Sequence, residues 1–343
     1  MQGQVFKIHS DFYYVKSKDN EVFECKLREI LKKQKQKILT GDFVEIENLN
    51  AICSVLPRKN ELLRPSVANI DLAVVVSSLL EPKLDFVQLN RYLIFLKYHK
   101  INTMLCFNKE DLLDEDVFKN QAKEILNIYE PLGYKIVFTS AKEKYGLDDL
   151  KKEIKGKTIV LCGLSGVGKS SVINALNPDF NLRTSNVSAQ TGRGCHTTRH
   201  CEILDFGDFR IIDTPGFSNL KFDFILPKDL DTLFEDIYKF AQKCKFSDCL
   251  HIEGDEHSKD CEVLKNLNKI NPQRYKSYLE FLKEARDYKQ KVTYGSQKEE
   301  ETKKHTHGEN KAKISRVKRR SARNTQRQIM KNLHEIIEDE NGY

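Results

Sequence analysis

Eight residues, Gly163-Leu164-Ser165-Gly166-Val167-Gly168-Lys169-Ser170, carry the glycine spacing and Lys-Ser ending of a phosphate-cradling P-loop. Glycines let the backbone wrap a polyphosphate with its N–H groups pointing inward, and the following helix N-terminus adds positive potential. Lys169 is placed to contact the β- and γ-phosphates, Ser170 to put its hydroxyl on Mg²⁺, and Ser171 to reach the α-phosphate.

A P-loop alone does not select the base. Asn108-Lys109-Glu110-Asp111 does, because it follows a predicted strand that ends at Phe107. A carboxylate there accepts from both the ring N–H and the exocyclic amino group of guanine. Adenine lacks that donor pair and would leave Asp111 unpaired, which argues against an ATPase or a nucleotide kinase. The Lys109 stem can cover the base face. Thr139-Ser140-Ala141-Lys142 ends the next predicted strand, where a backbone N–H can meet the guanine oxygen.

Asp213-Thr214-Pro215-Gly216 follows another predicted strand and suits the Asp of a Mg²⁺ shell, with Gly216 offering its N–H to the γ-phosphate. Between this motif and the P-loop lies a glycine-rich, basic stretch, Thr191 to Arg199. Thr198 is the first choice for a switch threonine on Mg²⁺ and Thr197 the second. Phe217 stands where many GTPases place a water-orienting Gln, so unassisted hydrolysis should be slow. His196 either positions that water or packs its loop.

Cys244-x₄-Cys249-x-His251 followed by Cys261 supplies three thiolates and an imidazole. That set fits one closed, tetrahedral, structural Zn²⁺ with no open position for catalysis.

The elements that position these groups fall into blocks. Residues 5–8, 12–15, 22–27, 43–46 and 51–55 read as five short strands, enough to close a small OB-like barrel. Its loop from Leu31 to Lys37 carries four lysines, which suits either nucleic-acid binding or a solvated loop. Apolar strands at 72–76, 103–107, 135–138, 158–162 and 209–212 alternate with amphipathic helices, as in a mostly parallel α/β sheet. A largely helical stretch runs from Leu226 to about Gln290. The expected domains are therefore a barrel at 1–60, an α/β GTPase domain at 61–221, a helical zinc-binding domain at 222–290 and a polar tail at 291–343 that is disordered in part.

The motif order is unusual. Ordinary GTPases run P-loop, switch threonine, Asp-x-x-Gly and then the guanine motifs. Here the guanine motifs at 108–111 and 139–142 come first. A sheet whose termini lie close together tolerates such a permutation, and the new join is the short segment Ile154 to Lys157. With Gly-Arg-Gly-Cys-His196-Thr-Thr198 and the Cys/His cluster, this order closely resembles the ribosome small-subunit-dependent GTPase A family of bacterial, circularly permuted GTPases, over residues 1 to about 290. The resemblance implies GTP hydrolysis to GDP and phosphate, stimulated by the 30S subunit late in its assembly, and binding to 16S rRNA. The family's zinc pattern is Cys-x₄-Cys-x-His-x₅-Cys. The x₅ position here holds His257, with Cys261 four residues later. Cys261 is favoured as the fourth ligand because Cys261-Glu-Val-Leu resembles the family's sequence around its last ligand. His257 is the alternative.

Composition sets the outer limits. The 343 residues are 39% hydrophobic and 31% charged, which suits soluble domains with a polar surface. The longest nearly apolar stretch, Leu72 to Leu80, is far below the ~20 residues of a membrane-spanning helix. The N-terminus lacks the apolar segment of a signal peptide. A cytoplasmic protein, monomeric and without a membrane partner, is expected, and its nine cysteines then read as thiols or metal ligands. The net charge of +7 is concentrated. Lys298 to Lys331 contributes +8, the last twelve residues −4 and the rest +3. A solvated tail or a basic arm on rRNA phosphates both fit.

Overall fold

The structure is a computed structural model that describes residues 1–34, 36–48, 50–63, 65–178, 201–214, 220, 222 and 224–294. The chain divides into two compact units, one of residues 1–220 with 231–279 and one of residues 221–230 with 280–343.

In the first unit, β1 (Gln2–His9), β2 (Phe12–Ser17) and β3 (Val22–Leu27) form a meander. A short helix α1 (Glu29–Lys33) precedes β4 (Phe43–Glu47) and β5 (Ala51–Val55). The strands pair in the order β1-β2-β3-β5-β4, and β4 returns to β1 at Gly3↔Val44, closing the expected five-stranded barrel. Alternate residues point inward, so Val5, Val15, Cys25, Val44 and Ile52 are fully buried. Buried Asp42 ties the exit of this barrel: both carboxylate oxygens accept from Arg58, at 2.7 and 2.8 Å.

A hairpin of β6 (Glu61–Leu63) and β7 (Ser66–Ala68) leads into the α/β region. Three-residue strands are too short to show a period, so sequence gives no sign of it. Then come β8 (Leu72–Ser78), α2 (Phe86–Tyr98), β9 (Thr103–Asn108), α3 (Glu115–Tyr129), β10 (Lys135–Phe138), α4 (Leu147–Ile154), β11 (Thr158–Cys162) and α5 (Lys169–Leu176). Two more strands, β12 (Glu202–Asp205) and β13 (Arg210–Asp213), complete the sheet.

Five strands run parallel in the order β10-β9-β8-β11-β13. Both faces are covered, which explains the unbroken apolar runs of β8 and β11. Ala73, Val75, Leu105 and Val160 pack with α2 and α3 on one face. Val74, Val76, Met104 and Ile159 pack with α4 and α5 on the other. Asp85 starts α2 by accepting from the N–H groups of Val87 and Gln88, at 2.9 and 3.1 Å. The permutation join is three residues, 155–157, between α4 and β11. Its backbone is satisfied, with the Gly156 N–H donating to the Asp208 carbonyl at 2.7 Å.

One pairing was not expected from sequence. β12 pairs antiparallel with β13 and, on its other side, with β1 at Lys7↔Glu202. Barrel and α/β sheet thus share one eleven-stranded sheet. Lys7–Glu202 and Lys16–Asp205 ion pairs, at 2.9 and 3.0 Å, and a Thr40 hydroxyl donating to the Cys201 carbonyl at 3.2 Å reinforce the seam.

After residue 220 the chain is mainly helical, with α6 (Glu235–Ala241), α7 (Glu262–Lys265) and α8 (Pro272–Tyr294). In the second unit Phe222 stacks on Phe281, with centroids 4.3 Å apart, and its N–H donates to Glu284 at 3.3 Å.

Candidate nucleotide site and Cys/His cluster

The P-loop leaves the sheet at Cys162 and re-enters regular structure as α5. Two of its glycines are required by space. A Cβ on Gly163, at φ +145°, would lie 2.1 Å from the Val76 carbonyl oxygen. A Cβ on Gly168, at φ +96°, would lie 2.2 Å from the Asn108 amide nitrogen. No L side chain fits either position.

That second contact exposes the organising residue. Asn108 is buried at the end of β9. Its amide donates to the Val167 carbonyl at 3.0 Å, inside the P-loop. Its oxygen accepts from the Ala141 N–H at 3.1 Å and the Thr139 hydroxyl at 3.3 Å. One side chain therefore fastens the P-loop to both guanine motifs. A planar amide suits this task because it donates from one end and accepts at the other.

Asp111 sits next in a short 3₁₀ turn, Glu110–Leu112. The Ser140 hydroxyl donates to its Oδ1 at 2.6 Å, fixing the carboxylate plane. Lys142 Nζ lies 3.9 Å from Oδ2. Lys109 adopts a left-handed conformation, at φ 67°, and its ammonium donates to the Glu81 carbonyl at 2.5 Å. Sequence reads Ser140 only as part of a strand-end motif, and the structure adds its hydrogen bond to Asp111. The signal is a hydroxyl at the end of the strand neighbouring an Asn-Lys-x-Asp motif.

The Lys169 ammonium donates to the carbonyls of Gly163 and Leu164, at 2.8 and 2.7 Å, within its own loop. Burial pulls its pKa down to about 8, against the opposing pull of Cys162 and Asp213. A desolvated cation without a full counter-charge favours an anionic ligand. Asp213 ends β13, and burial raises its pKa, with Glu202 adding to the rise. Such a carboxylate is relieved by a cation, as a Mg²⁺ shell would require. Buried Cys106, pushed up to about 11, is a small hydrophobe here.

Not all expected residues can be placed. His196, Thr197, Thr198, Gly216 and Phe217, and the basic tail from residue 298, lie outside the described residues.

The four ligand atoms of Cys244, Cys249, His251 and Cys261 lie within 4.8 Å of one another. Cys244 and Cys261 sulfurs are 3.9 Å apart, and His251 Nδ1 is 3.7 Å from the first and 3.4 Å from the second. A tetrahedron with ordinary zinc bond lengths has edges of about 3.8 Å between sulfurs and about 3.6 Å between sulfur and nitrogen. The residues fit the ion. Burial pushes the Cys261 thiol up to about 12, and the neighbouring cysteines add to the rise. A divalent cation reverses that penalty by holding thiolates. His257 is not in the cluster. It stacks on Phe246 at 4.2 Å, with Nε2 facing Asp248 and Glu256.

A P-loop fastened by one Asn to an Asn-Lys-x-Asp and a Thr-Ser-Ala-Lys motif, both earlier in the chain, is the arrangement of a circularly permuted P-loop GTPase. Comparison with known proteins narrows the class. The RsgA GTPase family matches residues 55–223 and the RsgA N-terminal domain matches residues 2–54. A Bacillus cereus protein named small ribosomal subunit biogenesis GTPase RsgA is 37% identical over 292 residues, spanning 84% of this chain and 98% of its own. The crystal structure of YjeQ from Thermotoga maritima superposes with a TM-score of 0.70 at 35% identity, covering 83% of this chain and 98% of that one. YloQ, described as a circularly permuted GTPase, gives 0.68 at 32% identity, covering 83% and 95%. The chain belongs to the RsgA GTPase family and is a GTP-hydrolysing enzyme.

Proposed function

We propose that this enzyme hydrolyses GTP on the small ribosomal subunit during late 30S assembly, with hydrolysis stimulated by the subunit and with 16S rRNA as a direct contact. The observation that carries the reading is the Asn108 clasp, which ties the P-loop to Thr139 and Ala141 at the strand end from the first residue of the Asn-Lys-x-Asp motif, in permuted order. The relatives' name supplies the subunit. The site residues are those set out from sequence: the P-loop and Ser171 for phosphates, Asn108 to Asp111 and Ser140 to Lys142 for guanine, and Gly216 for the γ-phosphate. Ser170, Thr198 and Asp213 would hold Mg²⁺, which supplies charge stabilisation of the transferring phosphoryl group. Cys244, Cys249, His251 and Cys261 would hold one structural Zn²⁺.

The division into barrel, permuted GTPase domain, helical zinc-binding domain and basic tail belongs to the same proposal, as do a monomeric state and a cytoplasmic location. Among the described residues no helix is long and apolar enough to cross a membrane. Support for RNA contact is local. Lys26, Arg28, Lys32, Lys33 and Lys37 are on the barrel, and the Lys26 ammonium sits 4.7 Å over the Phe12 ring. Mixed basic and aromatic surface is what a nucleic acid recognises.

Two measurements test this. Single-turnover hydrolysis should be slow for the protein alone and rise by at least about tenfold with purified 30S subunits, because Phe217 cannot orient water. An unchanged rate would overturn the coupling. Deleting residues 298–343 should weaken 30S binding and flatten the dependence of log affinity on log salt, since twelve Lys and Arg leave with that segment. An unaltered salt slope would leave the basic tail without an RNA role.

A further inference from the structure

We propose that Asp231 is a positioning residue of the Cys/His metal centre, accepting the Nε2 proton of His251 so that Nδ1 is the nitrogen presented to the metal. The proposal rests on the zinc reading of that cluster.

The ring of His251 is 2% exposed and has two nitrogens with different surroundings. Nδ1 faces the sulfurs of Cys244 and Cys261. Nε2 lies 3.3 Å from Asp231 Oδ2, twenty residues earlier in the chain. A neutral imidazole carries one N–H, so a carboxylate that holds it on Nε2 leaves the Nδ1 lone pair for the metal. The carboxylate also makes the ring a stronger ligand. The backbone of His251 is fixed separately, by Tyr275, whose hydroxyl donates to its carbonyl at 2.8 Å. The preceding Leu250 carbonyl accepts from Tyr278 at 3.1 Å. These contacts set where the ring is attached, at φ 55°, but not which nitrogen carries the proton.

Asp231 also lacks a better use. Its side chain is 16% exposed, and the second oxygen, Oδ1, is buried with no hydrogen-bond partner. A buried carboxylate with an unsatisfied oxygen costs stability. A divalent cation held on the far side of the ring would offset that cost by electrostatic attraction.

The test uses the full chain. Wild-type protein should retain one equivalent of zinc, and its Co²⁺-substituted form should show thiolate-to-cobalt charge-transfer bands. Failure of that control overturns the zinc reading and this proposal together. With the control met, Asp231→Asn and Asp231→Ala should keep the helical circular dichroism and the same cobalt bands. Both should surrender zinc to a competing chelator about 10–100-fold more readily. Wild-type retention in both variants would overturn the role of Asp231 alone. His251→Cys separates positioning from packing, because a thiolate has no second nitrogen to hold. In that background replacing Asp231 should no longer weaken zinc, and a persisting loss would overturn the proposal. The histidine ring proton gives a readout independent of that variant. In zinc-loaded wild type His251 should show a downfield, slowly exchanging Nε2–H signal that shifts upfield in Asp231→Ala. An unmoved signal would overturn the hydrogen bond.

Discussion

Asp111→Asn should convert the enzyme from a guanine to a xanthine nucleotide binder. An amide can accept only one of guanine's two N–H donors and sets its own NH₂ against the exocyclic amino group. Xanthine carries an oxygen in that place, so the amide donates to it and accepts from the ring N–H. The switch should be clean because Ser140 donates to Oδ1, an atom Asn retains, so the side chain keeps its orientation. Sites built around a hydrogen-bonding group discriminate by roughly 10⁴-fold, and a reversal of that order is expected here. Competition between GDP and XDP for a fluorescent nucleotide, on both proteins, measures it. An unchanged preference for guanine would remove Asp111 from base recognition.

Arg274→Ala should be among the most destabilising single changes in the chain. The guanidinium is fully buried, bonded to Asp236 at 3.1 and 3.2 Å and to Asn90 Oδ1 at 2.9 Å, and seated over the Phe234 ring. Asn90 in turn donates to Ser277 at 2.8 Å and accepts from Tyr129 at 3.1 Å. One network therefore joins α2, α3, α6 and α8. Removing the arginine leaves Asp236, a side chain only 13% exposed, without its cation and takes from Glu235 Oε2 its ion pair at 3.7 Å, a loss of about 3–5 kcal/mol. Thermal unfolding should fall by about 10 °C. Replacing both partners, as Arg274→Met with Asp236→Leu, should recover part of the loss, because the Asp236 charge leaves with its partner while Glu235 keeps its ion pair with Lys97. A double variant as unstable as the single one would show that the arginine acts by shape instead.

Asp111 and Arg274 mark the boundary of what sequence discloses. Asp111 stands out as a candidate because its signals are local, a strand end and an Asn three residues before it. The barrel was legible from five short strand-like runs in sixty residues, and the permutation from motif order alone. Arg274 was not. It sits in Pro-Gln-Arg-Tyr-Lys, at the start of a polar helix, and reads as a surface residue. Its partner Asn90 is 184 residues away. Asp231 and Ser140 were missed for the same reason, since both act on a side chain brought to them by folding. The choice between Cys261 and His257 was open to sequence only through likeness to a family pattern, whereas distances separate them directly. The pairing of β12 with β1 had no local signal, because β12 is four residues long and its partner lies near the start of the chain.

That last pairing bears on how the molecule avoids its own kind. An open parallel sheet ends in two strands whose outer N–H and C=O groups invite another chain. In this sheet one end is β10, only four residues long and opening with an exposed lysine. The other end, β12, is covered by β1 of a closed barrel, which has no margin to offer. The barrel therefore serves its neighbour as a stopper. Among the described residues the sheet presents a second copy with no long, bare strand on which to grow.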